Sequence, residues 1–315
     1  MALFTTSGVN NTSSSENGAE IYIMWSETGR TSRITQLEKS PSNLSWSPDG
    51  KWIAFTMKID AKPPVIAKMP AKPKGAKWAD APRITDRLKH EADGVGYIKP
   101  GFTHIFVVPA EGGTPRQLSS GDYNHSSSLS WAPDGRSVFF SANRNPDWEY
   151  DFRNSEVYKL DVATKEINQL TNTPGPDYSP VVSPDGRYVA FLGYEDKVQT
   201  YQVRQLRIMD INSGTIKEIS ADFDRSVGNI KWNTKSDGLY FMYDNFGQTK
   251  LGHFSLKGKQ KDLFGDLGGT TLGRPYASGS YSVSKGGDIA YTLSKPDRPA
   301  DVGLYTAKSG SIKQL

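Results

Sequence analysis

The sequence contains no cysteine and only four histidines among its 315 residues. The absence of cysteine excludes disulfides and every zinc site that uses thiolate ligands. No pair of histidines has a metal-ligand spacing such as His-x-x-x-His, so we predict no metal site, and we predict no cofactor. The histidines are scattered along the chain at His90, His104, His125 and His253.

Long apolar runs are also missing, and none approaches the ~18 residues that indicate a membrane span. Residues 1–20 are rich in Ser, Asn and Thr and lack the basic and apolar regions of a signal peptide, which leaves both the periplasm and the cytoplasm open. The formal net charge is only +4, and much of the excess lies in segment 58–77. We therefore expect no nucleic-acid partner.

What the sequence does contain is a repeat of about fifty residues. Three segments built around Pro-Asp-Gly nearly superimpose, two degraded copies follow, and residues 2–5 resemble the end of a sixth. The five copies are 46–55, 131–140, 182–191, 232–241 and 283–291. The aromatic residues that close the copies, spaced by 51, 85, 51, 50 and 50 positions, are Phe4, Phe55, Phe140, Phe191, Phe241 and Tyr291. The single long spacing indicates a Lys/Pro-rich basic insertion at about 58–80.

Each copy predicts a β-hairpin. Proline presets φ for the turn, aspartate bonds to the local backbone, and glycine supplies a positive φ. The alternating residues that follow, such as Ile53 and Phe55, predict strands with one buried face. We interpret the repeated turn aspartates as turn formers rather than calcium ligands, since one carboxylate per turn makes no cage. They are Asp49, Asp134 and Asp185.

A second hairpin follows each first one and closes on an apolar residue, at Gln36-Leu37, Gln117-Leu118, Gln169-Leu170, Glu218-Ile219 and Gln314-Leu315. Two hairpins per repeat make a four-stranded sheet, so the sequence predicts an all-β fold, a β-propeller of six to seven four-stranded blades with the first blade incomplete. A β-sandwich is disfavoured because its strands do not hold a fifty-residue register. We expect one domain over 1–315, with repeats near 1–37, 43–118, 129–170, 180–219, 229–263 and 281–315.

These blades resemble the propeller of the prolyl-oligopeptidase family of serine peptidases, most closely its acylaminoacyl-peptidase and dipeptidyl-peptidase branches. Segments that sharpen the resemblance are 93–97 leading into 104–118, 143–150, and 273–276 before 280–284. The turn motif alone is less specific, because periplasmic TolB-type propellers share it. The long second repeat, with Asp-Gly-Val-Gly-Tyr at 93–97, is the more specific part.

The resemblance implies a propeller that precedes an α/β-hydrolase domain carrying a Ser-Asp-His triad. The nearest fragment of a nucleophile elbow, at 135–139, lacks the second glycine and lies in a blade turn, so we predict no catalytic residue in this chain. We expect the hydrolase domain after residue 315 and predict that the chain alone is inactive. Its expected role is to restrict a peptidase site to short peptides. The alternative is a stand-alone TolB-type scaffold that binds protein partners.

Two candidate substrate-binding groups stand out. Asp147, Glu149 and Tyr150 interrupt the third blade, where related dipeptidyl peptidases use propeller glutamates to bind a substrate's N-terminal ammonium; the alternative, which we favour, is a solvated loop with an aromatic anchor. Arg274 and Tyr276 lie in a Gly-rich connection near a propeller face and predict either a ligand contact or an Arg-stabilised turn. The basic insertion predicts a docking segment or a solvated loop.

Overall fold

The protein, described by a computed structural model, is defined for residues 2–6, 19–62, 64–65, 67, 70–79, 83–269 and 279–315. Within these ranges all regular structure is β-strand, and every pairing between strands is antiparallel. The prediction of an all-β fold is confirmed. The described ranges hold no helix with the length and apolar character needed to cross a membrane.

The strands form six successive groups, called sheets 1 to 6 along the chain, of which sheets 5 and 6 are continuous as one eight-stranded sheet. Sheet 1 has three strands, β1 (Ala2–Thr6), β2 (Glu20–Met24) and β3 (Thr31–Arg33). Sheet 2 has four strands, with the small hairpin β6–β7 in its central connection: β4 (Ser42–Trp46), β5 (Trp52–Asp60), β6 (Glu91–Ala92), β7 (Gly96–Tyr97), β8 (Gly101–Pro109) and β9 (Arg116–Gln117).

The remaining sheets have four strands each. Sheet 3 comprises β10 (Ser130–Trp131), β11 (Ser137–Ala142), β12 (Glu156–Asp161) and β13 (Ile167–Gln169). Sheet 4 comprises β14 (Asp177–Val182), β15 (Tyr188–Gly193), β16 (Gln205–Asp210) and β17 (Ile216–Glu218). Sheet 5 comprises β18 (Gly228–Trp232), β19 (Gly238–Asn245), β20 (Gln248–Ser255) and β21 (Gln260–Leu267). Sheet 6 comprises β22 (Tyr281–Val283), β23 (Ile289–Lys295), β24 (Arg298–Thr306) and β25 (Ser311–Gln314).

Sheets 5 and 6 are continuous because Leu267 of β21 pairs with Leu293 of β23. The insertion in the second repeat begins later and ends later than the Lys/Pro-rich segment at about 58–80 indicates. Strand β5 continues to Asp60 and pairs Lys58 with Thr103, so the connection between the second and third strands of sheet 2 runs from 61 to 100.

The closing aromatics occupy equivalent places in the sheets. Five of them, at 55, 140, 191, 241 and 291, lie in the second strands and are buried in five different clusters. Phe4 lies in β1, and its pairing with Tyr22 has the same register as the pairing of Phe55 with Phe106. The fifty-residue register therefore identifies equivalent strand positions.

The hydrophobic core is divided into five clusters, one between each pair of successive sheets. The expectation of one buried face per strand is wrong for the middle strands. In β5, Ile53 and Phe55 pack toward sheet 1, whereas Ala54 packs toward sheet 3. Both faces are buried because each interior sheet lies between two neighbours, so apolar residues fill both sides of the pleat.

The Pro-Asp-Gly turns have the geometry that the sequence predicts. Asp49 accepts hydrogen bonds from the Ser47 hydroxyl (2.6 Å) and the backbone N–H of Lys51 (3.0 Å), and these bonds lower the pKa of Asp49. Gly50 has a φ of 70°, in the region that favours glycine. The interpretation of this aspartate as a turn former is confirmed.

The strand order defines two ends of the molecule. In each four-stranded sheet, the turns after the first and third strands lie at one end, which we call the turn end. The connections between second and third strands, and from each fourth strand to the next sheet, lie at the other end, the connection end. The connection end of sheets 2 to 5 carries the clefts described next.

Candidate functional site

Exposed apolar side chains are concentrated at the connection end. Tyr150 is 79%, Phe152 74% and Phe246 93% exposed, although side chains of this kind usually pack against other residues. Those on connections between second and third strands are Val65, Trp78, Leu88, Val95, Tyr97, Ile98, Tyr150, Phe152, Val198, Tyr201 and Phe246. Exposed apolar groups gathered on one side of a protein indicate an interaction surface.

A first cleft of about 990 Å³ lies between the long connection of sheet 2 and the connection 143–155 of sheet 3. We call it the Glu149 cleft. Its lining includes Glu149, Tyr150 and Phe152 on one side and Lys89 and Glu91 on the other. It therefore offers carboxylates beside exposed aromatic rings.

The connection that carries Glu149 is a series of turns with an aromatic anchor. The Trp148 ring packs edge-on against Phe102, with the ring centres 6.3 Å apart. The Asn143 side chain donates to the backbone oxygen of Asp151 (2.7 Å), which closes the connection on itself. The anchor fixes the residues on either side of Trp148.

The sequence-predicted site residues separate into two groups. Glu149 and Tyr150 line the Glu149 cleft, whereas Asp147 is exposed outside its lining. Within the described ranges, no ion pair engages either carboxylate. Arg274 and Tyr276 lie outside the described residues.

A second cleft of about 960 Å³ lies where the connection ends of sheets 3, 4 and 5 meet. We call it the Arg204 cleft. Three arginines from three different connections line it, together with four tyrosines: Arg153, Arg204, Arg225, Tyr178, Tyr194, Tyr201 and Tyr243. Burial raises the pKa of the Tyr178 phenol, and the nearby charge of Arg204 opposes that rise.

The sequence did not predict this cleft, although it contained a signal for part of it. Arg153 and Arg204 are separated by one repeat period and precede the third strands of their sheets. Equivalent positions in neighbouring repeats lie side by side, so an arginine at both positions predicts two positive charges close together. Arg225 lies on a different connection and has no such signal.

Two histidines that are far apart in the sequence meet below the connection end. The rings of His104 and His125 are 5.5 Å apart, so these two histidines are neighbours in the fold although they are separated in the sequence. His125 Nδ1 donates to the Thr103 carbonyl (3.2 Å), and its Nε2 accepts from Arg144 Nη1 (2.6 Å). Burial and the Arg144 charge lower the pKa of His125 to about 3.

A buried carboxylate network joins sheets 3 and 4. Asp177 is fully buried and accepts from Arg207 Nη1 (2.9 Å) and the Thr173 hydroxyl (2.8 Å). Burial raises the pKa of Asp177, and these two donors oppose the rise. Glu156 lies beside it and is also buried. The two carboxyl groups are buried, whereas the Arg207 side chain is 12% exposed, and the observed contacts of the network are structural.

Nothing in the described ranges assembles a hydrolytic centre. The Ser–His contact that they contain joins the Ser119 hydroxyl to His104 Nδ1 at 3.5 Å, and both side chains are buried away from any substrate. The same ranges hold no group of three or more acidic or histidine side chains close enough to bind a metal ion.

Comparison with known proteins shows what the chain is similar to. Residues 74–199 match the family model of the dipeptidyl peptidase IV (DPP IV) N-terminal region. Dipeptidyl-peptidase 5 of Porphyromonas gingivalis is 24% identical over 231 residues, which covers 67% of this chain and 32% of that protein. An uncharacterized peptidase of Bacillus subtilis is 25% identical over 315 residues, which covers 95% of this chain and 46% of that protein.

Solved structures show the same fold at lower identity. The acylaminoacyl peptidase of Pyrococcus horikoshii superposes with a TM-score of 0.69 at 17% identity, over 94% of this chain and 41% of that one. TolB of Acinetobacter baumannii superposes with a TM-score of 0.58 at 17% identity, over 94% and 59% of the two chains. These likenesses show a propeller-type fold.

The chain therefore resembles the N-terminal regions of dipeptidyl peptidases over residues 74–199. The predicted resemblance to the propeller region of the prolyl-oligopeptidase family is confirmed on the dipeptidyl-peptidase side, and the acylaminoacyl peptidase shares the fold. The chain spans about a third to a half of the length of the two relatives described above.

Proposed function

We propose that this chain is the non-catalytic propeller of a serine peptidase, with its sheets arranged as six to seven blades of a closed ring. Its connection end covers a hydrolase domain of the same polypeptide and admits only short peptides to the active site. The propeller shapes access, and the other domain performs the hydrolysis.

The observation that carries this proposal is the concentration of exposed apolar side chains at the connection end. Tyr150, Tyr201 and Phe246 extend from three successive sheets on the side that also holds both clefts. A surface of this kind loses its contact with water when another domain packs on it, and burial of apolar area drives that packing. Clefts beneath such a cover become enclosed chambers.

Within that chamber, we assign the substrate's N-terminal ammonium to the Glu149 cleft. Glu149 and Tyr150 line the cleft, and Asp147 adds a further negative charge near its rim. A carboxylate without an ion-pair partner attracts a cation more strongly than one already compensated by a salt bridge. The ligand expected here is the free amino end of a short peptide.

The first test extends expression beyond residue 315 of the same gene. The longer polypeptide should hydrolyse aminoacyl or acyl nitroanilides and short peptides, with rates that fall steeply for folded proteins, and the chain 1–315 alone should hydrolyse none. A reading frame that stops at residue 315 contradicts the proposal. So does turnover by the isolated chain that persists through rigorous purification.

The second test addresses the ammonium site in the longer polypeptide. Glu149→Gln should raise KM at least fivefold for peptides with a free amino terminus and leave acetylated peptides unchanged. Glu166→Gln is the matched control, because Glu166 is exposed at the turn end. An equal effect of Glu149→Gln on free and acetylated peptides argues against an ammonium site.

A second candidate function is a stand-alone scaffold of the TolB type that binds a protein partner through the connection end. The superposition on TolB and the exposed aromatic side chains both favour it. It predicts a reading frame without a nucleophile elbow and a partner whose binding is weakened by Phe246→Ser. The same gene sequence therefore distinguishes the two functions.

A further inference from the structure

We propose that the Arg204 cleft binds a carboxylate group of a peptide, with Arg204 as the residue that contacts it. The inference deepens the proposed function, on which it rests in taking peptides as the ligands. It assigns a binding role to a cleft whose arginines the sequence analysis left without one.

The pairing of the three arginines singles out Arg204. Arg153 Nε lies 3.0 Å from Asp196, and Arg225 Nη1 lies 2.7 Å from Asp224. Among the ion pairs of the described ranges, none includes Arg204. Arg204 therefore presents a guanidinium without a compensating carboxylate, and its planar fork matches the two oxygens of a carboxylate.

The cleft's own carboxylate does not take this role. Asp244 is the acidic residue in the described lining, and it accepts a hydrogen bond from the Thr249 hydroxyl at 2.7 Å. Arg204 lies near the Tyr178 phenol, a neutral group, and the Arg204 charge opposes the rise that burial causes in the pKa of Tyr178. An anion that enters the cleft thus meets a cation that no carboxylate of the described ion pairs neutralises.

The backbone of Arg204 is fixed on both sides. Its N–H donates to the Ser226 hydroxyl (3.2 Å), and its carbonyl accepts from the N–H of Val227 (3.0 Å). The Tyr201 hydroxyl lies 3.2 Å from the same Ser226 hydroxyl, which ties the two connections together at this point. The side chain therefore starts from a held position, which lowers the entropy lost when it binds a ligand.

The walls of the cleft favour a peptide over a phosphate compound. Tyr178, Tyr194 and Tyr201 offer aromatic surface, and Met242 adds an apolar, adaptable side chain. A volume of about 960 Å³ is at the upper end of ordinary ligand pockets and holds several residues of a short peptide. One uncompensated guanidinium matches a singly charged carboxylate better than a doubly charged phosphate.

The two clefts share one connection of the chain. Glu149 lines the first cleft and Arg153 the second, and only three residues separate them on connection 143–155. A free peptide has a cationic end and an anionic end. An acid-lined cleft and an arginine-lined cleft on either side of one connection fit a ligand with both charges.

The test measures binding to the isolated chain 1–315 by calorimetry at low ionic strength. The probes are Ala-Ala-Phe with a free carboxylate, its C-terminal amide, Ala-Ala-Glu amide and inorganic phosphate. We expect the free acid to bind at least tenfold more tightly than the amide. Ala-Ala-Glu amide distinguishes the source of the carboxylate: strong binding identifies any peptide carboxylate, and weak binding identifies the C-terminus.

The variant Arg204→Gln should weaken binding of the acid at least tenfold and leave binding of the amide unchanged. Arg136→Gln is the control, because Arg136 is an exposed arginine at the turn end. Arg204→Lys, which keeps the charge and loses the fork, should give an intermediate affinity. If Arg204→Gln does not fold, the acid–amide comparison on the wild-type chain and Arg204→Lys decide the question.

Equal affinity for acid and amide, no peptide binding at millimolar concentration, or an Arg204→Gln chain that binds the acid normally overturns the inference. Phosphate that binds more tightly than the acid peptide overturns it as well. The proposed function fails by different observations, namely the reading frame after residue 315 and the size profile of the longer polypeptide. A size limit that persists without any effect of Arg204 overturns only the carboxylate site.

Discussion

The hydroxyl of Thr171 donates a 2.5 Å hydrogen bond to the carboxyl of Glu156, and both side chains are buried between sheets 3 and 4. The same hydroxyl accepts from the backbone N–H of Val157 (2.9 Å). Sheet 4 repeats the arrangement with a neutral acceptor, since the Ser220 hydroxyl donates to the Gln205 amide oxygen (2.5 Å). The arrangement therefore needs an acceptor at this position and does not need a charge.

Burial raises the pKa of Glu156 to about 7, so this carboxyl binds a proton more strongly in the folded than in the unfolded chain. Its contribution to stability is fully present below the unfolded pKa of about 4.5 and is lost as the pH rises through about 7. Glu156→Gln removes this titration. The free energy of unfolding of the variant minus that of the wild type should therefore be higher at pH 8 than at pH 5, by up to about 3 kcal/mol.

Urea unfolding of the wild type and of Glu156→Gln at pH 5 and pH 8 measures this difference. Glu166→Gln, at an exposed turn, should leave the pH dependence unchanged. A Glu156→Gln effect of the same size at both pH values would mean that Glu156 is already charged in the folded chain at pH 5.

The repeat predicted the fold because a fixed period identifies equivalent residues without knowledge of their contacts. The repeat gave a wrong alignment where a matching residue pair occurred at a position that is not equivalent in the fold. Gln36-Leu37 matches Gln117-Leu118 in letters, but Ile34 is the residue whose N–H bonds to the Ile21 carbonyl, as the N–H of Leu118 bonds to Ile105. Backbone pairing sets the register, so the residue equivalent to Leu118 is Ile34, three positions before Leu37. The matching letters therefore gave the wrong alignment for sheet 1.

The clefts were harder to predict than the strands. The charge of Glu149 is visible in the sequence, and the cleft that it lines depends on the distant segment around Glu91. The Arg204 cleft needs residues from three sheets, and its electrostatics depend on which arginines have carboxylate partners. Pairing of this kind is a property of the folded arrangement, whereas the period is a property of the chain.

Two aromatic rings, those of Phe241 and Tyr291, lie directly over Gly252 and Gly303 of the neighbouring strands. Phe241 pairs with Gly252, and a Cβ at Gly252 would lie 2.6 Å from the Phe241 ring. Gly252→Ala should therefore lower the free energy of unfolding by about 1–3 kcal/mol, because the ring must move within a packed cluster. A Cβ at Gly286 would meet only the Ser284 hydroxyl, at 3.7 Å. Gly286→Ala should therefore change the free energy of unfolding by less than about 0.5 kcal/mol. Equal thermal shifts for the two variants would show that the ring accommodates a methyl group.

The buried His125 should remain neutral in mildly acidic solution. Burial, reinforced by the charge of Arg144, lowers its pKa to about 3, so its contribution to stability is present above pH 6.5 and is lost as the pH falls toward 3. In NMR titration, the ring signals of His125 should stay unchanged between pH 8 and pH 5. Arg144→Gln should raise the pKa of His125, whereas Arg136→Gln should not. A His125 signal that titrates near 6.5 in the wild type contradicts the neutral assignment.

The first strands of neighbouring sheets are held together by an indole hydrogen bond that occurs twice. Trp131 Nε1 donates to the Ser45 carbonyl (3.1 Å), and Trp232 Nε1 donates to the Val181 carbonyl (2.9 Å). Trp232→Phe keeps an aromatic ring beside Tyr188 and removes the donor, so the free energy of unfolding should fall by about 1–3 kcal/mol. Trp25→Phe is the control, because Trp25 is 43% exposed and its replacement should cost less than about 0.5 kcal/mol. Chemical unfolding of both variants separates the effect of the lost hydrogen bond from the general cost of replacing an indole. Equal decreases in the free energy of unfolding would mean that the hydrogen bond between sheets 4 and 5 does not contribute to stability.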